Sequence, residues 1–346
     1  MATTTAPASD EQDTPSSGLT RVLRRPELGA VIAAGIVFLF FSGYTEQFLS
    51  ELGVGTWLNS SSRFGIMAVA VALLMNGGEF DLSTGTMVGS TGLMVGVLTT
   101  HVGVNVFVAA AVALVVALAV GALNGLIVMK TGLPSFIVTL GTFFVLQGLN
   151  LALVKAIIDT VAIQGMRDVP YYEVIQPIFG GSLSLFGFGF GVSVLWWIAV
   201  TALGTWILLR TRAGNWVFAV GGAQNSSRQV GVPVLRTKVG LFMGTAGAGW
   251  LVGMITLFQS STVTSATGVG NEFIYIICAV VGGCLLAGGY GSAIGAALGA
   301  LIYGMTAQGI PYAGWDSDWL QAFLGLMLLG AVLVNDWVRR RAEAAR

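Results

Sequence analysis

Apolar runs of about 20 residues recur along this chain of 346 residues. An α-helix of that length crosses the ~30 Å hydrocarbon core of a lipid bilayer. The chain lacks the ~10-residue segments of alternating apolar and polar residues that are typical of a membrane β-barrel. Only 9% of the residues are charged, against roughly 25% in a soluble domain. We therefore expect an all-α, polytopic integral membrane protein embedded in the lipid bilayer, with no nucleic-acid partner.

Ten membrane spans fit the apolar runs best. Gly132 and Pro134 separate the fourth span from the fifth, because glycine suits a helix C-terminus and proline a helix start. The glycines of GGYGS (288–292) separate the eighth span from the ninth. The predicted spans are 30–48, 62–77, 82–100, 104–129, 134–154, 190–209, 239–258, 273–289, 291–309 and 319–338.

The basic residues predict the orientation of these spans, because cytoplasmic loops carry an excess of Lys and Arg. The side that holds the N-terminus carries Arg21, Arg24, Arg25, Lys130, Arg210, Arg212, Arg228, Arg236, Lys238, Arg339, Arg340, Arg341 and Arg346. The other side carries Arg63, Lys155 and Arg167. Both termini are thus predicted to be cytoplasmic. We expect a disordered tail at 1–28, the transmembrane domain at 29–338 and a basic tail at 339–346.

The segment NGGEFDLSTGT (76–86) places Glu79 and Asp81 between the second and third spans. No Lys or Arg lies between Arg63 and Lys130, so neither acid has a local basic partner. Buried carboxylates must be hydrogen-bonded, protonated or hydrated. The simplest hypothesis is a cytoplasmic turn near water, with Asp81 as the N-cap accepting from the amides of Ser83 or Thr84. A broken helix beside a pathway and a proton-coupling role are the alternatives.

A glycine pattern that occurs twice in the chain points to an internal duplication. GG occurs at 77–78 and again at 282–283, and each pair is followed by a Gly-x3-Gly pair, at 85/89 and at 291/295. Such small-xxx-small spacings also permit close helix packing.

The longest internal loop is predicted at 210–238. Within it, AQNSSRQV (223–230) can form about two helical turns before Gly231 and Pro233 stop the helix. This segment is either a solvated connector or a short helix that docks on another protein. On the opposite side, the longest external loop is predicted at 155–189, and a shorter external connection is predicted at 261–273.

Four segments of the chain resemble the permease subunit of ribose/xylose-type monosaccharide ABC importers. RTRAGNWVFAVGGAQNSSRQVGVPVLRTK resembles that family's T-x-x-G-x-x-x-x-A-x-G-G-N-x-x-A-A-x-x-x-G-I, and NGGEFDLSTGTMVG resembles its G-G-I-D-L-S-V-G. GALNGLIVMKTGLPSFIVTLGTFFVLQGL and VVGGCLLAGGYGSAIGAALGAL resemble two further glycine-containing segments. The first pattern is matched at Thr211, Gly214, Ala219, Gly221, Gly222 and Gly231, with Val232 in place of isoleucine. The chain departs from the family at Glu79, where glycine is common, and at Gln224, Asn225 and Ser226, where acids are frequent.

The resemblance implies a set of partners and sites. The family's permease pairs with a second permease chain and with a cytoplasmic ATPase dimer that binds ATP and Mg²⁺, so this chain itself needs no cofactor. An extracytoplasmic sugar-binding protein would dock on 155–189 and 261–273. The segment that couples to the ATPase would contain Gly222, Ala223, Gln224, Asn225, Ser226, Ser227, Arg228 and Gly231.

A sugar pathway needs hydroxyl-compatible donors and acceptors among apolar walls. The candidates are Asn76, Asn124, Ser135, Phe136, Thr139, Thr142, Gln147 and Asn150, with Glu79, Asp81 and Ser83 as helix-cap or polar-turn residues. Polar side chains of this kind can equally bridge helices within the membrane.

We expect the membrane subunit of a binding-protein-dependent ABC importer in a bacterial inner membrane, a transport subunit and not an enzyme. It needs a separate ATPase, since the chain has no GxxxxGK[ST] phosphate-binding loop. An ion-coupled secondary transporter would place carboxylates deep in several spans, and an intramembrane hydrolase would need a second acid or a Ser/His pair. The substrate class remains open to a branched-chain amino acid, a nucleoside or a furanosyl signal molecule. No catalytic or metal-binding residues are predicted.

Overall fold

The computed structural model describes residues 26–185 and 187–344. These residues form thirteen α-helices and four short β-strands. The helices are α1 Pro26–Tyr44, α2 Glu51–Asn76, α3 Thr84–Thr100, α4 Val106–Thr131, α5 Ser135–Ile158, α6 Tyr172–Phe179, α7 Ser193–Arg210, α8 Arg212–Gly222, α9 Gln224–Gln229, α10 Val234–Ser260, α11 Asn271–Val281, α12 Ala293–Tyr312 and α13 Trp319–Ala344. The strands are β1 Ala162–Ile163, β2 Ser182–Leu185, β3 Phe188–Gly191 and β4 Val263–Thr264.

Seven helices of the described residues are long and apolar enough to cross a membrane: α1, α2, α4, α5, α7, α10 and α12. The all-α, polytopic class is therefore confirmed. Helix α3 has 17 residues and α11 has 11, and the apolar part of α13, Trp319–Leu333, is also short. The number of ten spans and the cytoplasmic termini stay predictions. The predicted N-terminal tail lies outside the described residues up to position 25, whereas α13 continues through most of the predicted C-terminal tail.

Helix α2 runs through the centre of the bundle and defines its two ends. Its first turns pack against the β2–β3 hairpin, where Gly55 lies against the Gly189 carbonyl. Its last residue, Asn76, lies against Gly221 of α8. We call these the hairpin end and the basic end. The basic end collects Lys130, Arg210, Arg212, Arg228, Arg236 and Lys238, at the end of α4, the end of α7, in α8 and α9, and at the start of α10.

The second span begins earlier than predicted, at Glu51 instead of residue 62. Arg63 therefore lies in the middle of α2, and its predicted place on the outer side is wrong. The polar residues in the first half of α2, which are unusual in a membrane span, form hydrogen bonds inside the protein. Ser62 donates a hydrogen bond to Ser193 at 2.8 Å, and Asn59 accepts one from the Gly191 amide at 2.6 Å.

The two long predicted loops contain regular structure. In 155–189, α5 continues to Ile158 and is followed by β1, α6 and the hairpin. Strand β1 pairs with β4, so this segment and the 261–273 connection lie against each other. In 210–238, the residues before the predicted short helix form α8, and α10 begins at Val234 instead of 239.

The two GG pairs end helices in the same way. In α2 and in α11, the first glycine donates to the carbonyl four residues back, and the second donates to the carbonyl three residues back. The residue after them donates to the carbonyl five residues back. Gly78 and Gly283 have φ values of 78° and 93°, which favour glycine. The repeated geometry supports the internal duplication that the sequence indicates.

The predicted eighth span, 273–289, is not one continuous helix. Helix α11 ends at Val281, because the Gly282–Gly283 pair terminates it. Before α11, the chain runs without helix along α3, from Val263 beside Gly92 to Gly268, whose carbonyl oxygen is 2.6 Å from the position of a Cβ on Gly85. The predicted external connection thus descends from the middle of α3 to its first turn. At 1.5 Å per residue, α11 then covers about 16 Å towards the basic end.

Candidate functional site

The segment between α2 and α3, residues 77–83, is a non-helical break that α5 holds in place. The Phe80 amide donates to the Ser135 hydroxyl at 3.1 Å, and the Leu82 amide donates to the Thr139 hydroxyl at 3.0 Å. Backbone groups at membrane depth need such partners, because lipid offers none. Serine and threonine one turn apart at the start of α5 therefore accept hydrogen bonds from two backbone amides of the break.

Asp81 is the centre of a buried polar network at this break. Its carboxylate accepts from the Ser83 amide at 2.9 Å, from the Ser83 hydroxyl at 2.6 Å and from the Thr245 hydroxyl at 3.0 Å. Asn124 donates to Ser83 at 3.1 Å, and Thr142 donates to Asn124 at 2.6 Å. The network therefore joins α4, α5 and α10 to the break.

The position of Asp81 corrects the simplest hypothesis in two respects. Ser83, and not Asp81, is the residue that precedes the first turn of α3, although Asp81 does accept from the Ser83 amide. Asp81 is buried and lies at the level of Asn124, which is about 10 Å from the end of α4 at Thr131. The proposed location near water is therefore wrong for this side chain, because the break enters the bundle instead of turning at its surface.

Glu79 has a basic partner after all. Lys238, at the start of α10, forms a buried ion pair with it, and the side chains of Glu79 and Lys238 are 10% and 4% exposed. Lys238 also donates to the Gln224 side chain at 2.6 Å. The sequence separation of 159 residues explains why a local search missed the partner. A lysine that directly precedes the predicted span 239–258 was the available signal.

The structure brings most of the predicted site residues together. Asn124, Ser135, Thr139 and Thr142 join Asp81 and Ser83 around the break. Asn150 continues the same face of α5, with Gln147 at its edge, and Phe136 is half exposed. Asn76 is buried at the end of α2, and both polar atoms of its side chain lack a partner among the described residues.

The predicted coupling segment forms α9, which ends before Gly231 in a left-handed conformation. Ser227 is buried and Gln224 is partly buried against Lys238. The other side chains of the segment face outward at the basic end, and Val230 is 79% exposed. The exposed positions are Gly222, Ala223, Asn225, Ser226, Arg228 and Gly231.

Two substitutions at Asp81 are expected to differ in how much they lower the stability of the permease. Asp81→Asn keeps an acceptor oxygen for Ser83, and its amide can donate to Thr245, so its midpoint of thermal unfolding in detergent should remain close to that of the parent. Asp81→Ala removes the acceptor of three buried donors, each costing about 1–3 kcal/mol when unpaired, and should lower the midpoint clearly. Transport is expected to follow the same order, with far less loss in Asp81→Asn. An equal loss in both variants would show that the negative charge itself is required.

Comparisons with known proteins agree with this architecture. A family model described as "Branched-chain amino acid transport system / permease component" matches residues 53–332. The inner membrane ABC transporter permease protein YjfF of Escherichia coli (strain K12) is 29% identical over 78% of this chain and 80% of its own length. The ribose import permease protein RbsC of the same strain is 28% identical over 90% and 94%. The fructose import permease protein FrcC of Rhizobium meliloti is 28% identical over 90% and 84%.

No solved structure matches the chain significantly. The family match covers most of the transmembrane domain, including the break at residues 77–83, the Gly282–Gly283 pair that ends α11, and α9. The chain therefore belongs to the family of branched-chain amino acid transport system permease components, and it is the membrane-spanning permease subunit of an ABC importer in the plasma membrane.

Proposed function

We propose that this permease forms the pathway for a monosaccharide or related polyol, as one of two copies of the chain. A separate ATPase dimer, which binds ATP and Mg²⁺, would dock at the basic end, and an extracytoplasmic binding protein would deliver the sugar at the hairpin end. The observation that carries the proposal is α9, an exposed short helix joined to the membrane break by the contact between Gln224 and Lys238.

Helix α9 has the properties of a docking element. It packs on α8 and α10 and presents Asn225 and Arg228 outward, and Val230, directly after it, is exposed as well. Val230 is 79% exposed among polar residues, so it is accessible to a partner, and a groove of that partner would bury it. The basic Arg228 suits an acidic groove on such a partner.

The hairpin end offers a structured face for a binding protein. Beyond the paired strands β1 and β4, Arg167 and Tyr172 both contact the Ser261 hydroxyl there, at 3.3 Å and 2.9 Å. These contacts join the 155–189 and 261–273 segments into one surface. A partner can therefore bind both segments at once.

The names of two relatives, which are import permeases for ribose and for fructose, support a sugar as the substrate. The polar groups on the α5 face are neutral hydroxyls and amides, which match the hydroxyl groups of a sugar. The family description names branched-chain amino acids, and a zwitterion of that kind is the second candidate. Ion coupling is not favoured, because all the relatives named above are ABC permeases or import permeases.

The proposal is tested by reconstituting the permease in proteoliposomes with its ATPase and its binding protein. We expect uptake of D-ribose or D-fructose that requires ATP, together with ATP hydrolysis that the loaded binding protein stimulates. Uptake of leucine, without uptake of either sugar, would show that the substrate is an amino acid and not a sugar. Uptake driven by a proton or sodium gradient without ATP would overturn the ATPase partnership.

A charge at Val230, directly after α9, is expected to weaken docking of the ATPase. Val230→Asp places a carboxylate where the proposed interface buries a valine, so the amount of ATPase that copurifies with the permease should fall about tenfold, equivalent to ~1.4 kcal/mol of binding free energy. Val102→Asp, at an exposed position of the hairpin end, is the matched control and should copurify like the parent. Equal copurification in both variants would place the ATPase elsewhere.

A further inference from the structure

Residues 264–270 form a non-helical stretch of backbone at the depth of the membrane core. They run along α3 between the levels of Gly92 and Gly85. Glycines of α3 make this approach possible, since a side chain on Gly89 would collide with the Thr267 carbonyl. Helix α3 itself begins inside the bundle, directly after the buried Asp81 network. The stretch therefore lies about halfway between the two ends.

The other described residues leave part of this stretch exposed. Thr264, Ala266 and Gly270 are exposed, and Phe273 at the start of α11 is 55% exposed. Irregular backbone at such depth does not face lipid, because its polar groups would remain unpaired there. The exposed side must therefore face water or protein.

The neighbouring face of α5 has unused polar groups at the same level. Ser135, Thr139 and Thr142, near the basic end, are hydrogen-bonded to the break and its network. Farther along α5, the Asn150 side-chain nitrogen is buried and has no partner among the described residues. This nitrogen is 3.7 Å from the position that a Cβ on Gly89 would occupy, next to Thr267.

We propose that residues 264–270, together with Gln147 and Asn150 of α5, line a water-filled site halfway across the membrane that binds the transported sugar. The inference deepens the proposed function and rests on it for the identity of the ligand. Neutral hydroxyl, amide and backbone groups from this set match sugar hydroxyls, and the exposed ring of Phe273 can cover the apolar face of a sugar ring. Discontinuous helices near the bilayer midplane form substrate sites in other transporters for the same reason, since they free backbone groups for a ligand.

Cysteine accessibility tests the site in the assembled transporter. Both native cysteines are buried, so single cysteines can be introduced at Thr264→Cys and Ala266→Cys. The matched control is Val115→Cys, on the exposed outer face of α4. We expect a charged, membrane-impermeant thiol reagent to label both site variants at least tenfold faster than the control, and D-ribose or D-fructose, whichever the parent transports, to slow the labelling at least threefold.

The possible outcomes separate this inference from the proposed function. Labelling as slow as that of Val115→Cys would overturn the inference, because the stretch would then be covered by a second copy or another chain. Fast labelling that a transported sugar does not slow would overturn it as well, since the stretch would then line water without binding the sugar. Transport of neither sugar by the parent counts against the proposed function alone, because the labelling ratio does not depend on the sugar.

A second variant tests the role of Asn150 directly. Asn150→Leu has the same number of side-chain non-hydrogen atoms and removes the amide, so we expect sugar uptake to fall about tenfold while the thermal midpoint in detergent stays near that of the parent. Asn150→Gln, which restores an amide, should regain part of the uptake. Uptake in Asn150→Leu equal to that of the parent would remove Asn150 from the site.

Discussion

Lys238→Met is expected to destabilise the permease strongly. The change leaves Glu79 buried without its cation, and breaking a buried ion pair in this way typically costs about 3–5 kcal/mol. It also removes the donor to Gln224, which joins α10 to α9. The thermal midpoint of the purified permease in detergent should fall strongly, and the yield of folded protein in the membrane should fall with it.

The matched control is Lys130→Met. Lys130 is exposed at the end of α4, on the same basic end, and the same replacement there removes an equal charge from the surface. We expect its midpoint to stay close to that of the parent, because exposed charges contribute ~0–1 kcal/mol. Similar midpoints for the two methionine variants would show that the Glu79–Lys238 pair contributes little to stability.

The double variant Glu79→Leu/Lys238→Met separates the two effects of the pair. Replacing both charges by apolar groups removes the unpaired carboxylate, and such replacements are often neutral or stabilising. We therefore expect the midpoint to recover. Gln224 on α9 remains without its donor, so recovery of stability without recovery of sugar uptake would show that these polar contacts serve transport as well as stability.

The sequence was sufficient to predict the class of the fold and most helix ends. Apolar runs located the long helices, and Gly132 and Pro134 marked the boundary between α4 and α5 correctly. The beginning of α2 was missed because Asn59, Ser61 and Ser62 look like a loop. In this protein those polar residues pack against other protein segments, so the rule that a membrane helix is apolar on all sides does not apply to α2.

The candidate site was predictable in part. The spacing of Ser135, Thr139 and Thr142 on one face of α5 was visible in the sequence, and the structure shows what they bind. The partner of Glu79 was not predictable from local sequence, because only the packing of α10 beside the break brings Lys238 to it. The stretch at 264–270 was also missed, since threonine, serine and glycine residues are typical of surface loops as well as of broken helices.

The second large loss of stability is expected from a substitution at Gly221 of α8, where the backbone lies against the backbone of Asn76 and of Gly289. A Cβ at this position would collide with the Asn76 carbonyl oxygen and lie 2.7 Å from the Gly289 amide nitrogen. The Gly289 amide donates a hydrogen bond to the Asn76 carbonyl at 2.9 Å. This bond joins the end of α2 to the segment that follows α11. Because the obstructing atoms are backbone, no side-chain rotation can make room for a methyl group.

Gly221→Ala should therefore separate α8 from the end of α2, at a cost at or above the ~1–3 kcal/mol that overpacking usually carries, and should weaken both the fold and the attachment of α9. The adjacent Gly222→Ala is the control: a Cβ there meets nothing within 4 Å, and alanine is about 1 kcal/mol more favourable than glycine within a helix. Thermal unfolding in detergent should thus give a lower midpoint for the first variant and an equal or higher one for the second. Equal midpoints for the two variants would contradict the close contact of α8 with the breaks, because only that contact distinguishes these neighbouring glycines.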